Sequence, residues 1–137
     1  MSRILHLKPG SRVPEWVEAI DRACFIEAWG PLDECEHIWA FPPHAFARWR
    51  IIPEVQEAEL LRIGVAVEAR RRGYGRALLR HSQAAMARLG VDVLHLEVRV
   101  SNVAARALYE SEGWAYRGVR KSYYRDGETA ALYSCPV

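Results

Sequence analysis

The chain has 137 residues, 50% of them apolar and 26% charged, which is about one domain of ordinary globular composition with enough apolar content to bury a core without staples. No run approaches the roughly 18 apolar residues of a membrane-spanning helix, and MSRILHLKPGSRVPEW at the start holds no apolar stretch of signal-peptide length, so a cytoplasmic protein is expected. Net charge is only +2, too small by itself to imply nucleic acid. Its distribution is uneven. Residues 1–59 carry six Lys/Arg against ten Asp/Glu, residues 60–80 six against one, and residues 81–137 seven against six.

Val13, Trp16, Val17, Ile20 and Cys24 recur at helical spacing behind Pro14, which predicts a helix from about Pro14 to Phe25. Ala28 to Glu36 reads as a loop or irregular turn. Three strand-like runs come next, His37 to Phe41, Ala45 to Ile52 and Ala58 to Val67, and their tight connections predict antiparallel neighbours. Glu68 to Gly75 is a loop. Leu78, Leu79, Ser82, Ala85, Met86 and Leu89 form one helical face, and Gly90 stops that helix. Val91 to Val100 alternates, with Leu94, Leu96, Val98 and Val100 on one face and His95, Glu97 and Arg99 on the other. Ser101-Asn102 caps a short helix ending near Gly113. Trp114 to Tyr124 and Glu128 to Cys135 read as a closing hairpin around Asp126-Gly127. The central strand–helix–strand unit should pair its strands in parallel. The result is an α/β fold, a mixed sheet with helices on both faces, with residues 1–137 in one domain. Cys24, Cys35 and Cys135 match neither a disulfide framework nor a zinc spacing and read as free thiols.

The positive segment coincides with a glycine loop. Gly64-Val65-Ala66-Val67 leads through Arg70-Arg71-Arg72-Gly73-Tyr74-Gly75-Arg76 into a helix. A strand entering a helix this way aims backbone N–H groups and a partial positive charge at one spot. Glycine permits close approach, and arginine adds charge-assisted hydrogen bonds to phosphate oxygens, so the loop suits a pyrophosphate. A Walker loop would need Lys-Ser/Thr where Arg76-Ala77 stands, and the dinucleotide fingerprint needs a third glycine. The plain alternative is a solvated arginine turn.

Arg70, Gly73 and Gly75 fill the defining positions of an Arg/Gln-x-x-Gly-x-Gly/Ala turn that resembles the acetyl-CoA loop of the GNAT acetyltransferases. Leu96-Glu97-Val98-Arg99-Val100-Ser101-Asn102 and Ala107-Leu108-Tyr109-Glu110-Ser111-Glu112-Gly113-Trp114 extend the resemblance, as does the terminal Tyr-Tyr. They are similar above all to the RimI-type branch, the ribosomal-protein alanine N-acetyltransferases. The resemblance covers roughly residues 58–135 and implies the acyl-CoA N-acyltransferase fold, its sheet splayed between two parallel strands. It implies acetyl-CoA as co-substrate, with no metal expected. Ile63, Gly64 and Val65 would line the acetyl and pantetheine arm. Arg70, Arg71, Arg72, Gly73, Tyr74, Gly75 and Arg76 would form the pyrophosphate loop, and Asn102 would contact CoA unless it serves only as a helix cap.

An amine must lose a proton before it attacks a thioester. The resemblance implies Glu97 as proton acceptor, against the plain alternative of a strand glutamate paired with Arg99. It implies Tyr109 as proton donor, against an aromatic packed on the sheet. Tyr123 and Tyr124 would wall the amine, or are ordinary strand aromatics. The expected reaction is direct attack in a ternary complex on a protein N-terminal α-amine, the family's substrate being a small-subunit ribosomal protein. No membrane or nucleic-acid partner is expected. The same fold acting on a small amine or a lysine, or a non-catalytic acyl-CoA sensor, remains open. The chain is short for the branch, and its loop after the first helix is compressed, where one side of the substrate groove usually lies.

Overall fold

The computed structural model describes residues 3–25 and 29–137; the expectation for the 28–36 loop therefore extends by one residue, Ala28, outside the described part. In chain order the elements are β1 (Leu5–Leu7), α1 (Glu15–Cys24), β2 (Glu36–Phe41), β3 (Ala45–Ile52), β4 (Glu57–Val65), α2 (Tyr74–Arg88), β5 (Val93–Arg99), α3 (Val103–Ser111), β6 (Ala115–Arg120) and β7 (Ala130–Pro136). Short 3₁₀ turns at Pro53–Val55 and Val67–Ala69 flank β4. Among the described residues the seven strands form one sheet in the order β1-β2-β3-β4-β5-β7-β6. Only β4 and β5 run parallel, joined by the crossover that contains α2, as the strand–helix–strand pattern predicts.

Two cores sit on opposite faces, and the two-residue period of the strands assigns them. Ile38 and Ala40 of β2 and Phe46 of β3 pack against Val17 and Ile20 of α1. The intervening Trp39, Ala45, Ala47 and Trp49 pack with Leu78, Leu79 and Met86 of α2, Tyr109 of α3, and Leu94 and Leu96 of β5. Burying each such aliphatic side chain contributes about 1.5–3 kcal/mol. Trp49 donates its indole N–H to Ser82 Oγ at 3.1 Å, and that hydroxyl donates to Leu78 O at 2.7 Å. The one polar residue on the inward face of α2 is thereby satisfied.

Three features depart from the sequence reading. β1 pairs antiparallel with β2, Leu5 opposite Ala40; three residues are too few to display alternation. Leu89 is 56% exposed because α2 ends one residue earlier, where Gly90 takes a φ of +89° and Val91 N–H reaches back to Met86 O at 3.0 Å. β6 stops at Arg120, so Tyr123 and Tyr124 lie in the loop before β7, not on a strand. The turn expected at Asp126-Gly127 does form, with Gly127 N–H donating to Tyr124 O at 2.8 Å, but Ser122 at φ +51° takes the chain off the ladder before it.

A buried polar knot ties the segment after α1 to the sheet. Arg48 donates to Glu36 Oε1 at 2.7 Å and to the carbonyls of Gly30 and Pro31 at 2.9 and 2.8 Å. Trp29 Nε1 donates to Glu36 Oε2 at 2.9 Å. Glu36 and Arg48 are 2% and 4% exposed, so each requires the other.

Candidate active site

The parallel ladder is short. β4 and β5 pair from Glu57 opposite Val93 to Leu60 opposite Leu96 and no further. At the same point β4 carries an extra residue, because Leu60 faces Trp49 of β3 and Arg62 faces Arg48, leaving Leu61 as a bulge. A bulge bends its strand and re-aims the residues beyond it. Past Leu61, β4 stays with β3 as far as Val65 opposite Ala45, while β5 stays with β7 as far as Arg99 opposite Ala130. The sheet opens into a fork. Ile63, Gly64 and Val65 form one prong; Glu97, Val98 and Arg99 form the other.

Gly64 has a packing reason of its own. A Cβ there would lie 2.8 Å from Phe46 Cε1 and 3.1 Å from Ile20 Cγ2, so glycine sets how closely α1 approaches the fork. At the tip of the prong, Val65 O accepts from Cys24 Sγ at 3.6 Å and from Arg70 Nε at 3.2 Å.

The glycine loop comes next. Arg71 (φ +66°) and Gly73 (φ +83°) are left-handed, and Gly73 is the N-cap of α2 with no side chain capping the first turn. Arg71 and Arg72 are exposed. Arg70 instead folds back onto Val65 and Cys24. Arg76 donates to Ser111 Oγ at 3.1 Å and pairs with Glu112, which also holds Arg80 at 2.8 Å; these two arginines clasp α2 to α3. Tyr74 stacks on His44 at 4.6 Å and meets Phe41 edge-on. A Cβ on Gly75 would enter the space among Leu108, Ile63 and Val65 at 3.8–3.9 Å. Uncapped N–H groups, a left-handed glycine and exposed guanidinium groups fit a polyanionic phosphate.

Glu97 and Tyr109 lie on opposite faces of the sheet. Glu97 lies on the α1 side, with Arg120 Nη1 at 3.5 Å and its side chain 17% exposed. The nearby Glu97 carboxylate holds the Tyr123 phenol above its usual range. Burial, then Glu97, pushes Tyr124 up to about 12. Tyr109 is 4% exposed in the α2–α3 core, beside Trp114 and Tyr133. Burial, then Tyr124, raises its hydroxyl far above the ordinary phenol range, so Tyr109 stays protonated at any physiological pH. Tyr124 thus stands electrostatically between the two candidates. Arg99 is not the partner of Glu97. It pairs with Asp126 at 2.8 Å and Glu128 at 3.0 Å, 4.1 Å from the Tyr124 ring centroid. Asn102 caps α3, its Oδ1 accepting from Ala105 N–H at 3.1 Å.

Beside Glu97 the sheet face is open and forms a pocket of about 360 Å³, lined in part by Glu57, Glu59, His95, Arg117 and Arg120. His95 bonds Glu57 Oε1 at 2.9 Å and Ser134 Oγ at 2.8 Å. Glu59 was not among the residues singled out by sequence. Its only signal is that Ala58 and Leu60 face the core, which leaves Glu57 and Glu59 on the other face.

The profile of the acetyltransferase (GNAT) family matches residues 10–114. The ribosomal protein bS18-alanine N-acetyltransferase of Escherichia coli K12 is 43% identical over 96 residues, 68% of this chain and 64% of that enzyme, so the match spans somewhat under two thirds of the relative's length. An N-alpha-acetyltransferase of Sulfurisphaera tokodaii is 39% identical over 84 residues, 61% of this chain and 50% of that protein. The crystal structure of the ribosomal-protein-S18-alanine N-acetyltransferase from Escherichia coli superposes with a TM-score of 0.83 at 31% identity, covering 100% of this chain and 94% of that one. Ard1 from Thermoplasma volcanium shares the fold, with a TM-score of 0.81 at 20% identity over 99% of this chain and 97% of its own.

Proposed function

The chain belongs to the acetyltransferase (GNAT) family, and from that premise we propose that it transfers the acetyl group of acetyl-CoA to the α-amine at a protein N-terminus, the alanine of ribosomal protein bS18 being the acceptor to try first. The observation that carries this reading is the fork itself, two prongs whose inner edges have no partner strand among the described residues, with the Glu97 carboxylate on one prong and the buried Tyr109 phenol packed on the opposite face of the sheet.

The co-substrate's pyrophosphate would lie on the Arg71–Gly73 turn and the first turn of α2, with its arm along Ile63, Gly64 and Val65. Arg70 would leave Val65 O to meet it, and Arg76 would keep its place on Glu112. Asn102, at the mouth of the fork, would meet the arm while still capping α3. The acceptor enters from the open sheet face, between the pocket and the Tyr123–Tyr124 loop. Glu97 takes one proton from the ammonium group, and the free amine attacks the thioester carbonyl. The carbon–sulfur bond breaks, and the amine's second proton goes to the departing thiolate. Tyr109 donates a hydrogen bond to that sulfur, which needs no ionisation of the phenol. Direct transfer fits Cys24, whose thiol is engaged with Val65 O and has no neighbouring base among the contacts described. The reaction would take place in the cytoplasm, where ribosomal proteins are made.

Mass spectrometry of peptides incubated with the protein and acetyl-CoA tests this. The pool holds peptides with free α-amines, an Ala-Arg start among them, and peptides whose only free amines are on lysine. Acetylation of α-amines alone supports the reading. Acetylated lysines move the function to side chains, and acetyl-CoA binding without transfer to any peptide favours a small-amine enzyme or a sensor.

A further inference from the structure

We propose that His6 and His37 form a two-histidine site for a divalent transition-metal ion, Cu²⁺ before Zn²⁺, that staples β1 to β2 at the edge of the sheet. The site stands apart from acetyl transfer. In the strand order, β2 and β3 separate β1 from the β4 prong of the fork.

The sheet register builds the pair. Trp39 stands opposite His6, and Ile38 opposite Leu7. His37 is therefore the diagonal neighbour of His6, on the Trp39 face where α2 packs. His6 Nε2 and His37 Nδ1 meet at 2.9 Å. Both rings lie nearly parallel to the Trp39 indole, at centroid distances of 4.2 and 5.7 Å and angles of 6° and 12°. The two imidazoles are within 18° of each other. The indole thus sets both ring planes and keeps the two nitrogens facing. Both histidines are only partly buried, so an ion can reach them from solvent.

Imidazole nitrogens suit Cu²⁺, Ni²⁺ and Zn²⁺. Two nitrogens bound at about 2.0–2.1 Å to one square-planar or tetrahedral ion stand roughly 2.9–3.4 Å apart. The observed separation of 2.9 Å already falls there. Without metal, one ring donates its N–H to the other. To bind, that ring carries its proton on its other nitrogen, which frees both facing lone pairs with no net loss of a proton. Competition from protons is weak. Burial, then His6 and Lys8, lowers His37 to about 4. Burial, then Lys8 and His81, lowers His6 as well. Both rings are neutral at pH 7, the state a metal ligand requires. Among the described residues no third protein ligand completes a set, so water fills the remaining positions and affinity follows the intrinsic order of Cu²⁺ over Zn²⁺.

Isothermal titration of the tag-free full chain with CuCl₂ and with ZnCl₂, in a non-coordinating buffer at pH 7, tests the site. One Cu²⁺ per chain is expected, with Zn²⁺ weaker. His6→Gln and His37→Gln should each weaken binding at least about tenfold, since even an outer-shell partner is worth that much. Cu²⁺ should also quench part of the tryptophan fluorescence, through Trp39. At a hundredfold excess of Zn²⁺ over its dissociation constant the melting temperature should rise by about 5–10 °C. No saturable binding by wild type, or binding unchanged in both variants, would overturn the proposal. Electron paramagnetic resonance of the wild-type Cu²⁺ complex keeps the test independent of how the variants fold. Coupling to two imidazoles is expected; coupling to one or none would overturn the site. Peptide acetylation, assayed separately, bears only on the acetyltransferase reading.

Discussion

Glu97 is set apart from an ordinary strand carboxylate by what surrounds it. One guanidinium at 3.5 Å restrains it without enclosing it, and three further groups, Tyr123, Tyr124 and Glu59, respond to its charge. Glu97→Gln keeps the shape and removes the proposed base. The expected result is a fall in kcat of about a hundredfold with acetyl-CoA affinity near wild type, measured by parallel kinetics and calorimetry; an unchanged rate across pH 6–9 would remove its role. The identity of Glu97 and Tyr109 was legible from local motifs. Their surroundings were not, because Arg120, Tyr123, Tyr124 and Glu59 come from three different segments. Arg99, the neighbour that sequence proximity suggested, points instead to the Asp126–Glu128 turn.

At the scale of elements the glycines divide by function. Gly64 is fixed by packing. A Cβ would meet two buried side chains, so Gly64→Ala is expected to cost about 1–3 kcal/mol, read as a lowered melting temperature, with α1 pushed off the fork. Gly73 is fixed by conformation and charge. Gly73→Asp puts a side chain at φ +83°, which costs about 1 kcal/mol, and a carboxylate where the pyrophosphate is proposed to sit. The folded variant should lose acetyl-CoA binding; wild-type affinity would contradict the loop assignment. The sequence could be read for the loop, for α1 to α3 and for β2 to β5 because each has a period or a cap. It could not be read for β1, which is shorter than one period, or for the end of β6, which a left-handed serine decides.

For the whole molecule, acid sensitivity should come in part from the far edge of the sheet. His6 and His37 share a 2.9 Å hydrogen bond between β1 and β2, and the His6 ring stacks on Trp39 at 4.2 Å. Burial, then His6 and Lys8, lowers His37 from 6.5 to about 4. A histidine held neutral in the fold stabilises fully above its unfolded value and loses that contribution as pH falls through the folded one. Its partial exposure limits the effect to about 1 kcal/mol. The melting temperature is therefore expected to drop by a few degrees between pH 6.5 and 4, and more steeply in wild type than in His37→Gln. Equal slopes would show that the carboxylates alone account for the drop.

By itself the sequence determined the glycine loop, the two helical faces and the parallel pairing of β4 with β5, local properties governed by periodicity, capping and the conformational freedom of single glycines. Its motifs also carried the family resemblance, which is what names Glu97 and Tyr109 for the proposed chemistry. The tertiary structure alone decided that one extra residue, Leu61, ends the β4–β5 ladder and opens the fork. It alone drew Arg70 onto Val65 and Arg76 onto Glu112, leaving Arg71 and Arg72 exposed at the loop. It also brought Glu59 to the side of Glu97. A bulge is a mismatch between two strands, and an ion pair is a meeting of two distant segments; neither has a signature within one stretch of chain.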